Sequence, residues 1–452
     1  MNNKKRLFKH TFIVLSIMCC LLLGCTSVIY AFGGFESEIT SVSTNDMSAI
    51  NTGAASASTT EILDTSVSAA TAKSSSTSSS PVDNSSNSAG QATATDEKTP
   101  TLEDIPPASI TISAVGDLMF HQGNLNNAYN PKTSTYDFSG FLEYVKPYLT
   151  KSDLTIGNFE TVTAGPSYGY TSYPCFNTPD TVLTALSGAG FDVLSTANNH
   201  CLDKGITGLS RTLQKIQSNK MVSIGTSTDG KNKQITKYIN GIKVSILAYS
   251  STFNGNDAKL SVDQKKKYLS TINEKQIESD IKAVKARGTD VIIVIMHWGN
   301  EYQRVPSPTQ TALSKKVLAW GADIILGSHP HVIQKSEIVK INGKDKFVIY
   351  SMGNFISGYR RTDKADRPNK IYTEDGVIVQ LKIDKDPNGG VIIKNVNYVP
   401  TWVDKTYVNN RPVFKIIPIP SIDTKESYIT NYNKSFIKQS YKNTMEIMAK
   451  LK

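Results

Sequence analysis

The chain has 452 residues, 39% of them hydrophobic and 19% charged, and a formal net charge of +10. That length supports at least one large domain with a sizeable core, while five cysteines with no Cys-x-x-Cys or Cys/His knuckle spacing exclude a disulfide scaffold and a zinc knuckle. No P-loop, dinucleotide fingerprint or Gly-x-Ser-x-Gly elbow is present, which argues against ATP-driven ligation and the usual serine hydrolases; nucleic acid has only the net charge in its favour and is not expected as a partner.

At the N-terminus, Lys4, Lys5, Arg6 and Lys9 precede an uncharged apolar run from Thr11 to Phe32. This is the order of an export signal. Its 22 residues also suffice to span a hydrocarbon core of roughly 30 Å at about 1.5 Å per residue. Residues 1–32 are therefore expected to be a signal anchor or a cleaved signal peptide. A lipobox-like Leu22-Leu23-Gly24-Cys25 makes Cys25 a candidate for lipidation. Each alternative places the remainder outside the cytoplasm, and an anchor or lipid would hold it at the cell membrane, facing the extracellular side.

Residues 33–107 are expected to be a disordered stalk. Between Ser41 and Pro100, 26 of 60 residues are Ser or Thr, and no aromatic occurs between Phe35 and Phe120. Such a composition buries too little apolar surface to offset chain entropy. The same stretch holds six acidic residues against two lysines, so the positive charge belongs to the rest of the chain, where it would attract anionic polymers.

From Ile110 onward, short β-rich apolar runs alternate with amphipathic stretches. Strands are predicted near Ile110–Val115, Leu154–Ile156, Val193–Ser195, Val244–Tyr249, Val291–Met296, Ile324–Leu326, Phe347–Tyr350 and Gly376–Ile383. Helices are predicted near Phe141–Leu149, Asp180–Ala189, Gly208–Gln217, Asp263–Ala286 and Thr309–Trp320, with a basic terminal helix within Tyr428–Lys452. The alternation implies a layered α/β domain over 108–405 with a mixed or parallel central sheet, and a C-terminal extension over 406–452. Cys175 and Cys201 could form one disulfide or remain two buried thiols; spacing does not decide.

Open α/β sheets place their sites beyond the carboxyl ends of strands. Five elements carry polar groups there: Val115-Gly116-Asp117 followed by His121, Gly157-Asn158-Phe159-Glu160, Asn198-Asn199-His200-Cys201-Leu202-Asp203, His297-Trp298-Gly299-Asn300-Glu301, and His329-Pro330-His331. Asn158 and Glu160, two apart in extended chain, face one side. The proline favours extended backbone at His329, from which the two imidazoles of His-Pro-His are expected to converge. Carboxylate, amide oxygen and imidazole suit one or two divalent ions such as Mn, Zn or Fe, and a pair of them can clamp a phosphoryl group.

The series AVGDLMFH, IGNFET, ANNHCLDKG, IMHWGNEY, GSHPHVIQ and YSMGNF resembles the CapA family of poly-γ-glutamate capsule biosynthesis proteins, related to calcineurin-like metallophosphoesterases, over roughly Ile110–Val403. The resemblance implies a metallophosphatase-like sandwich, with central mixed β-sheets flanked by helices. It implies Asp117 as a ligand of one metal, Glu160 as the bridging carboxylate, Asn199 and His297 on the second metal, and His329 and His331 completing both. His200 would be the proton donor, oriented by Asp203. His121, Asn158, Trp298, Glu301 and Asn354 would shape the pocket. The chain departs from the usual Asp-x-His motif, since Met119 stands two residues after Asp117.

Three functions fit. One is a capsule or poly-γ-glutamate biosynthesis or export protein with a divalent-metal site. Another is a metal-dependent phosphoesterase acting on a nucleotide, lipid or wall polymer. The third is a non-catalytic scaffold of a membrane polymer synthase. A metal-dependent hydrolase of metallophosphoesterase type is compatible with the first two and excluded by the third.

Overall fold

The computed structural model describes residues 108–231, 233–362, 368–385 and 390–448. The expected signal or anchor, the stalk and Cys25 lie outside the described residues. Among those described, no helix is long and apolar enough to cross a membrane.

Two mixed sheets form the centre. The first comprises β1 (Ser109–Leu118), β2 (Leu154–Phe159), β3 (Val193–Ser195) and β4 (Val222–Ile224), all parallel, and continues beyond β1 through antiparallel strands. The second comprises β5 (Gln234–Ile239), β6 (Ile242–Ser250), β7 (Val291–His297), β8 (Ile324–Ser328), β9 (Ile333–Ile341) and β10 (Lys344–Met352), in the order β9-β10-β8-β7-β6-β5. There β6, β7, β8 and β10 are parallel, and the outer strands β5 and β9 are antiparallel. In the first sheet β11 (Asn354–Ile356) lies beside the end of β1, and β12 (Asp375–Lys385), β13 (Val391–Val408) and β14 (Arg411–Pro418) complete the antiparallel side.

Strand periodicity explains the layering. Ile293 and Ile295 of β7 join Ile112 and Ala114 of β1 in a core between the sheets, whereas Ile292, Val294 and Met296 point the other way. Those outward residues are covered by α6 (Glu274–Ala286) and α7 (Pro308–Trp320), through Ile277, Ile281 and Val317. The outer face of the first sheet is covered by α1 (Gln122–Ala128) and α3 (Thr181–Gly188), among others. A strand buried on both faces reads as a continuous apolar run; Val291–Met296 is one.

Local signals were partly overridden. The helix predicted over Phe141–Leu149 is a 3₁₀ turn at Ser139–Phe141 and a single turn, α2 (Lys146–Leu149), before α4 (Gly205–Ser218) and the rest. The helix predicted over Asp263–Ala286 is two helices, α5 (Val262–Tyr268) and α6, because Leu269 is extended and Asn273 caps α6 by accepting from the Gln276 amide. The proposed boundary between 405 and 406 cuts through β13, and β14 belongs to the same sheet. The terminal helix α8 (Lys434–Met448) buries Ile437 and Met448 against that body. Cys201 is a free, buried thiol, which excludes a bridge to Cys175; burial pushes its pKa up.

Candidate metal centre

The parallel strands of both sheets end on the same side, and the chemistry-bearing residues leave from those ends. Asp117 sits in the last turns of β1, Asn158 in β2 with Glu160 just beyond, Asn198 to His200 after β3, His297 at the end of β7, and His329 and His331 after β8. Gly116 lets this end of β1 close against β11: a Cβ there would fall 1.9 Å from the Gly353 carbonyl oxygen, whose acceptance of the Asp117 N–H at 3.0 Å fixes the carboxylate's direction.

Asn158 is the hub. Its Nδ2 donates to Asp117 Oδ1 at 2.8 Å and to Glu160 Oε2 at 3.2 Å, and lies 3.3 Å from His297 Nδ1. Its Oδ1 accepts from Asn198 Nδ2 at 3.3 Å. Asp117 Oδ2 lies 3.0 Å from His331 Nδ1 and 3.4 Å from the His329 amide. Asn354 Oδ1 approaches the same His331 nitrogen at 3.2 Å. His297 Nδ1 meets Ser328 Oγ at 3.1 Å, while its Nε2 lies 3.0 Å from Asn199 Oδ1. Glu160 Oε1 faces His297 Nε2 at 3.9 Å and His331 Nε2 at 3.8 Å.

These groups fall into two sets of metal-ligand spacing, Asp117–Glu160–His331 and Glu160–His297–His329, which share Glu160. Within each set one ligand atom per residue lies within 4.8 Å of the others. Glu160 Oε1 and His329 Nδ1 are buried with no hydrogen-bond partner. A buried polar atom left unpaired costs about 1–3 kcal/mol, and a shared cation would remove both orphans at once. The donor set therefore fits divalent metal.

The electrostatics follow from burial with imidazoles beside the carboxylates. Among the described residues no lysine or arginine forms an ion pair with Asp117 or Glu160. Burial, then the neighbouring Asp117 charge, holds the Glu160 carboxyl well above its usual range. Burial, then the facing His329, holds His297 well below the usual imidazole value. Burial and His331 bring His329 down to about 4. For His331, burial alone would lower the value, but the hydrogen bond and charge of Asp117 raise it overall. Neutral imidazole is the form that ligates a cation.

The backbone corrects one expectation. His329 and His331 are not extended: their φ angles are +95° and +58°. This left-handed geometry, which costs an L-residue of order 1–3 kcal/mol, turns the His329 amide toward Asp117 and both rings inward. Fixing comes from the Trp298 amide donating to Ser328 O at 3.1 Å and the Tyr302 amide donating to Pro330 O at 2.7 Å.

The other predicted residues occupy distinct places. His200 Nδ1 bonds Asp203 Oδ2 at 2.7 Å, and that oxygen also accepts the Phe176 amide at 2.7 Å. Trp298 faces away from the cluster, its indole donating to Tyr350 O at 3.0 Å. Glu301 is half-buried, near enough for its charge to act on Glu160, His329 and His331. His121 lies outside both ligand sets, and Met119 is buried in the core. Sequence reading missed Asn198, Ser328, Phe176, Tyr302 and Tyr359 as site-lining residues. Asn198, Ser328 and Tyr302 stood inside quoted motifs; Phe176 and Tyr359 carry no local signal, since their role depends on distant loops meeting.

Comparison with known proteins bears on this site. Residues 111–359 match the family model described as bacterial capsule synthesis protein PGA_cap. The capsule biosynthesis protein CapA of Bacillus anthracis is 32% identical over 266 residues, 56% of this chain and 61% of that protein. The PGA biosynthesis protein CapA of Bacillus subtilis is 27% identical over 301 residues, 65% of this chain and 72% of that protein. The match thus spans about three fifths of the first relative's length. Among solved structures, the calcineurin-like phosphoesterase YfkN from Bacillus subtilis is similar with a TM-score of 0.44 at 15% identity, over 75% of this chain and 99% of that one. A 5'-nucleotidase precursor from Thermus thermophilus gives a TM-score of 0.39 at 11% identity, over 75% of this chain and 58% of that chain.

Proposed function

We propose, from the premise that this chain belongs to the bacterial capsule synthesis protein family, that it is an extracytoplasmic component of poly-γ-glutamate or related surface-polymer biosynthesis or export that works through a divalent-metal cleft. The observation that carries this reading is the pair of ligand sets joined at Glu160, with Glu160 Oε1 and His329 Nδ1 orphaned in the interior. The basic segment and apolar run ahead of Phe32 support export and attachment to the membrane. The net charge of +10 supports attraction to an anionic polymer. A membrane synthase would be the natural partner of a polymer-handling protein held at the same surface.

Asp117, Glu160 and His331 would hold one ion; Glu160, His297, His329 and the Asn199 oxygen would hold the other. Divalent cations bound there, of Mn, Zn or Fe type, would supply Lewis-acid polarisation and lower the pKa of water. The chain's own part is positional. Asn158 and Ser328 fix the His297 ring, and Asp117 and Asn354 fix His331. Asp203 accepts from His200 Nδ1–H, leaving Nε2 as the atom that takes or gives a proton. That dyad favours a second reading, hydrolysis of a phosphate ester with His200 protonating the leaving oxygen.

The test is metal content of the purified protein by plasma mass spectrometry, beside a His329→Ala/His331→Ala variant, with phosphodiester and γ-glutamyl substrates assayed on the same samples. About two divalent ions per chain, lost in the variant together with turnover, is the expected result. A folded wild-type chain that holds no metal would sink the metal reading; one that holds metal and turns over neither substrate would favour a binding scaffold.

A further inference from the structure

His121 belongs to neither ligand set, yet the fold holds its ring with unusual care. Its Nδ1 accepts the Gly358 N–H at 3.0 Å, across 237 residues of chain. An acceptor nitrogen carries no proton, so in neutral His121 the proton sits on Nε2. That Nε2 is buried and has no hydrogen-bond partner. Gly358 is bare because the ring lies on it: a Cβ there would be 2.5 Å from His121 Cβ and 3.0 Å from Cγ.

The ring's other neighbours place it at the cleft. His121 packs between Phe176, at 5.4 Å between centroids, and Tyr359, at 4.7 Å. Phe176 in turn meets His200 at 4.7 Å, and Tyr359 meets His331 at 6.1 Å. His331 continues to His329 at 5.9 Å and His329 to His297 at 4.6 Å. The rings form a continuous arc from the His200–Asp203 dyad to the metal ligands, and His121 stands midway along it. Burial first, then the nearby imidazoles of His331 and His200, bring its pKa down to about 3, in keeping with an Nδ1 that accepts from Gly358 and carries no proton.

We infer that His121 is a substrate-binding residue whose fixed Nε2–H donates to an anionic oxygen of the ligand, between the proton-donor dyad and the metal ligands. A neutral donor of fixed tautomer suits a singly bonded oxyanion of a phosphate or carboxylate. It cannot move that proton to Nδ1 and so free Nε2 to ligate a cation while Gly358 donates to Nδ1, which separates its role from that of the other imidazoles. This inference rests on the cleft being the anion-handling site proposed above, but not on the metal count.

The test measures affinity of the full-length chain for inorganic phosphate and, separately, glutarate by calorimetry, with metal content and melting temperature recorded on every sample. His121→Phe keeps the ring packing and removes the donor; His121→Asn keeps an acceptor for Gly358 and draws the donor back. Both are expected to weaken at least one of the two anions about ten- to hundredfold, with melting temperature and metal content as in the wild type. The anion that is weakened identifies the source of the oxyanion. Wild-type affinity for both anions in either folded variant overturns the inference. A wild-type chain that holds no metal but loses phosphate on His121→Phe retains the donor and discards the metal reading instead.

Discussion

Two buried acidic clusters stand at the same end of the first sheet, and they are built on opposite terms. At one, Asp117 and Glu160 have only amides and imidazoles around them, and Glu160 Oε1 is left without a partner. At the other, Glu374 is enclosed by cations and donors: the Arg361 guanidinium, Arg360 Nε at 3.3 Å, the Arg361 amide at 3.0 Å and the Trp402 indole at 2.9 Å. Beside it, Asp375 accepts from Asn443 Nδ2 of α8 at 2.8 Å and faces Arg361 Nη2 at 3.6 Å, an ion pair too long to be a hydrogen bond. A buried acid with arginines holds structure together, here by docking the terminal helix. A buried acid without them is kept for a charge that the chain does not itself provide.

The sharpest way to break this comparison is to neutralise one acid in each cluster. Glu374→Gln leaves two arginines facing an amide and is expected to cost about 3–5 kcal/mol in denaturant unfolding, with metal content unchanged. Glu160→Gln is expected to leave the metal-free protein at least as stable, while abolishing metal uptake. Equal destabilisation by the two changes would erase the distinction.

Next in size is a pH effect at Asp375, whose carboxyl burial pushes up to about 6 although Asn443, Ser440 and Arg361 pull the other way. A carboxyl with a raised folded-state value costs nothing while protonated. Its cost grows as pH rises from about 4 to 6, then levels off, reaching about 3 kcal/mol. Unfolding of the wild type and Asp375→Asn between pH 4 and 7 should show the wild type losing ground across that window. Parallel curves would mean that the ion pair with Arg361 fully compensates.

Smaller again is Asn158→Ala, which removes the hub amide without removing a ligand and is expected to weaken metal binding about 10- to 100-fold in a chelator competition. Smallest is Trp298→Phe, which loses one buried hydrogen bond to Tyr350, about 1 kcal/mol, and leaves metal affinity intact. A large loss of metal on this change would place Trp298 in the cleft after all.

Much of the fold was legible because apolar runs such as Val291–Met296 and Ile324–Leu326 are strands wherever they are placed. The outer strands were not. β5 and β9, at the two edges of the second sheet, and β13, between β12 and β14 in the first, carry too little apolar signal on their exposed faces to be read locally. The Asp263–Ala286 stretch failed for a different reason, since its helical period continues across a break that Asn273 caps.

The sequence alone determined the inventory: which residue types follow which strands, and the order of motifs that identified the family. It also made Asp117, Glu160, Asn199, His297, His329 and His331 candidates, because their chemistry and strand-end positions are local properties. Only the tertiary structure decided that Glu160 Oε1 and His329 Nδ1 are left without a partner, that His-Pro-His turns inward through left-handed backbone, and that Gly358 fixes the His121 tautomer. Those facts depend on contacts such as His331 to Asp117, 214 residues apart, and no local pattern encodes which distant group will be missing a partner.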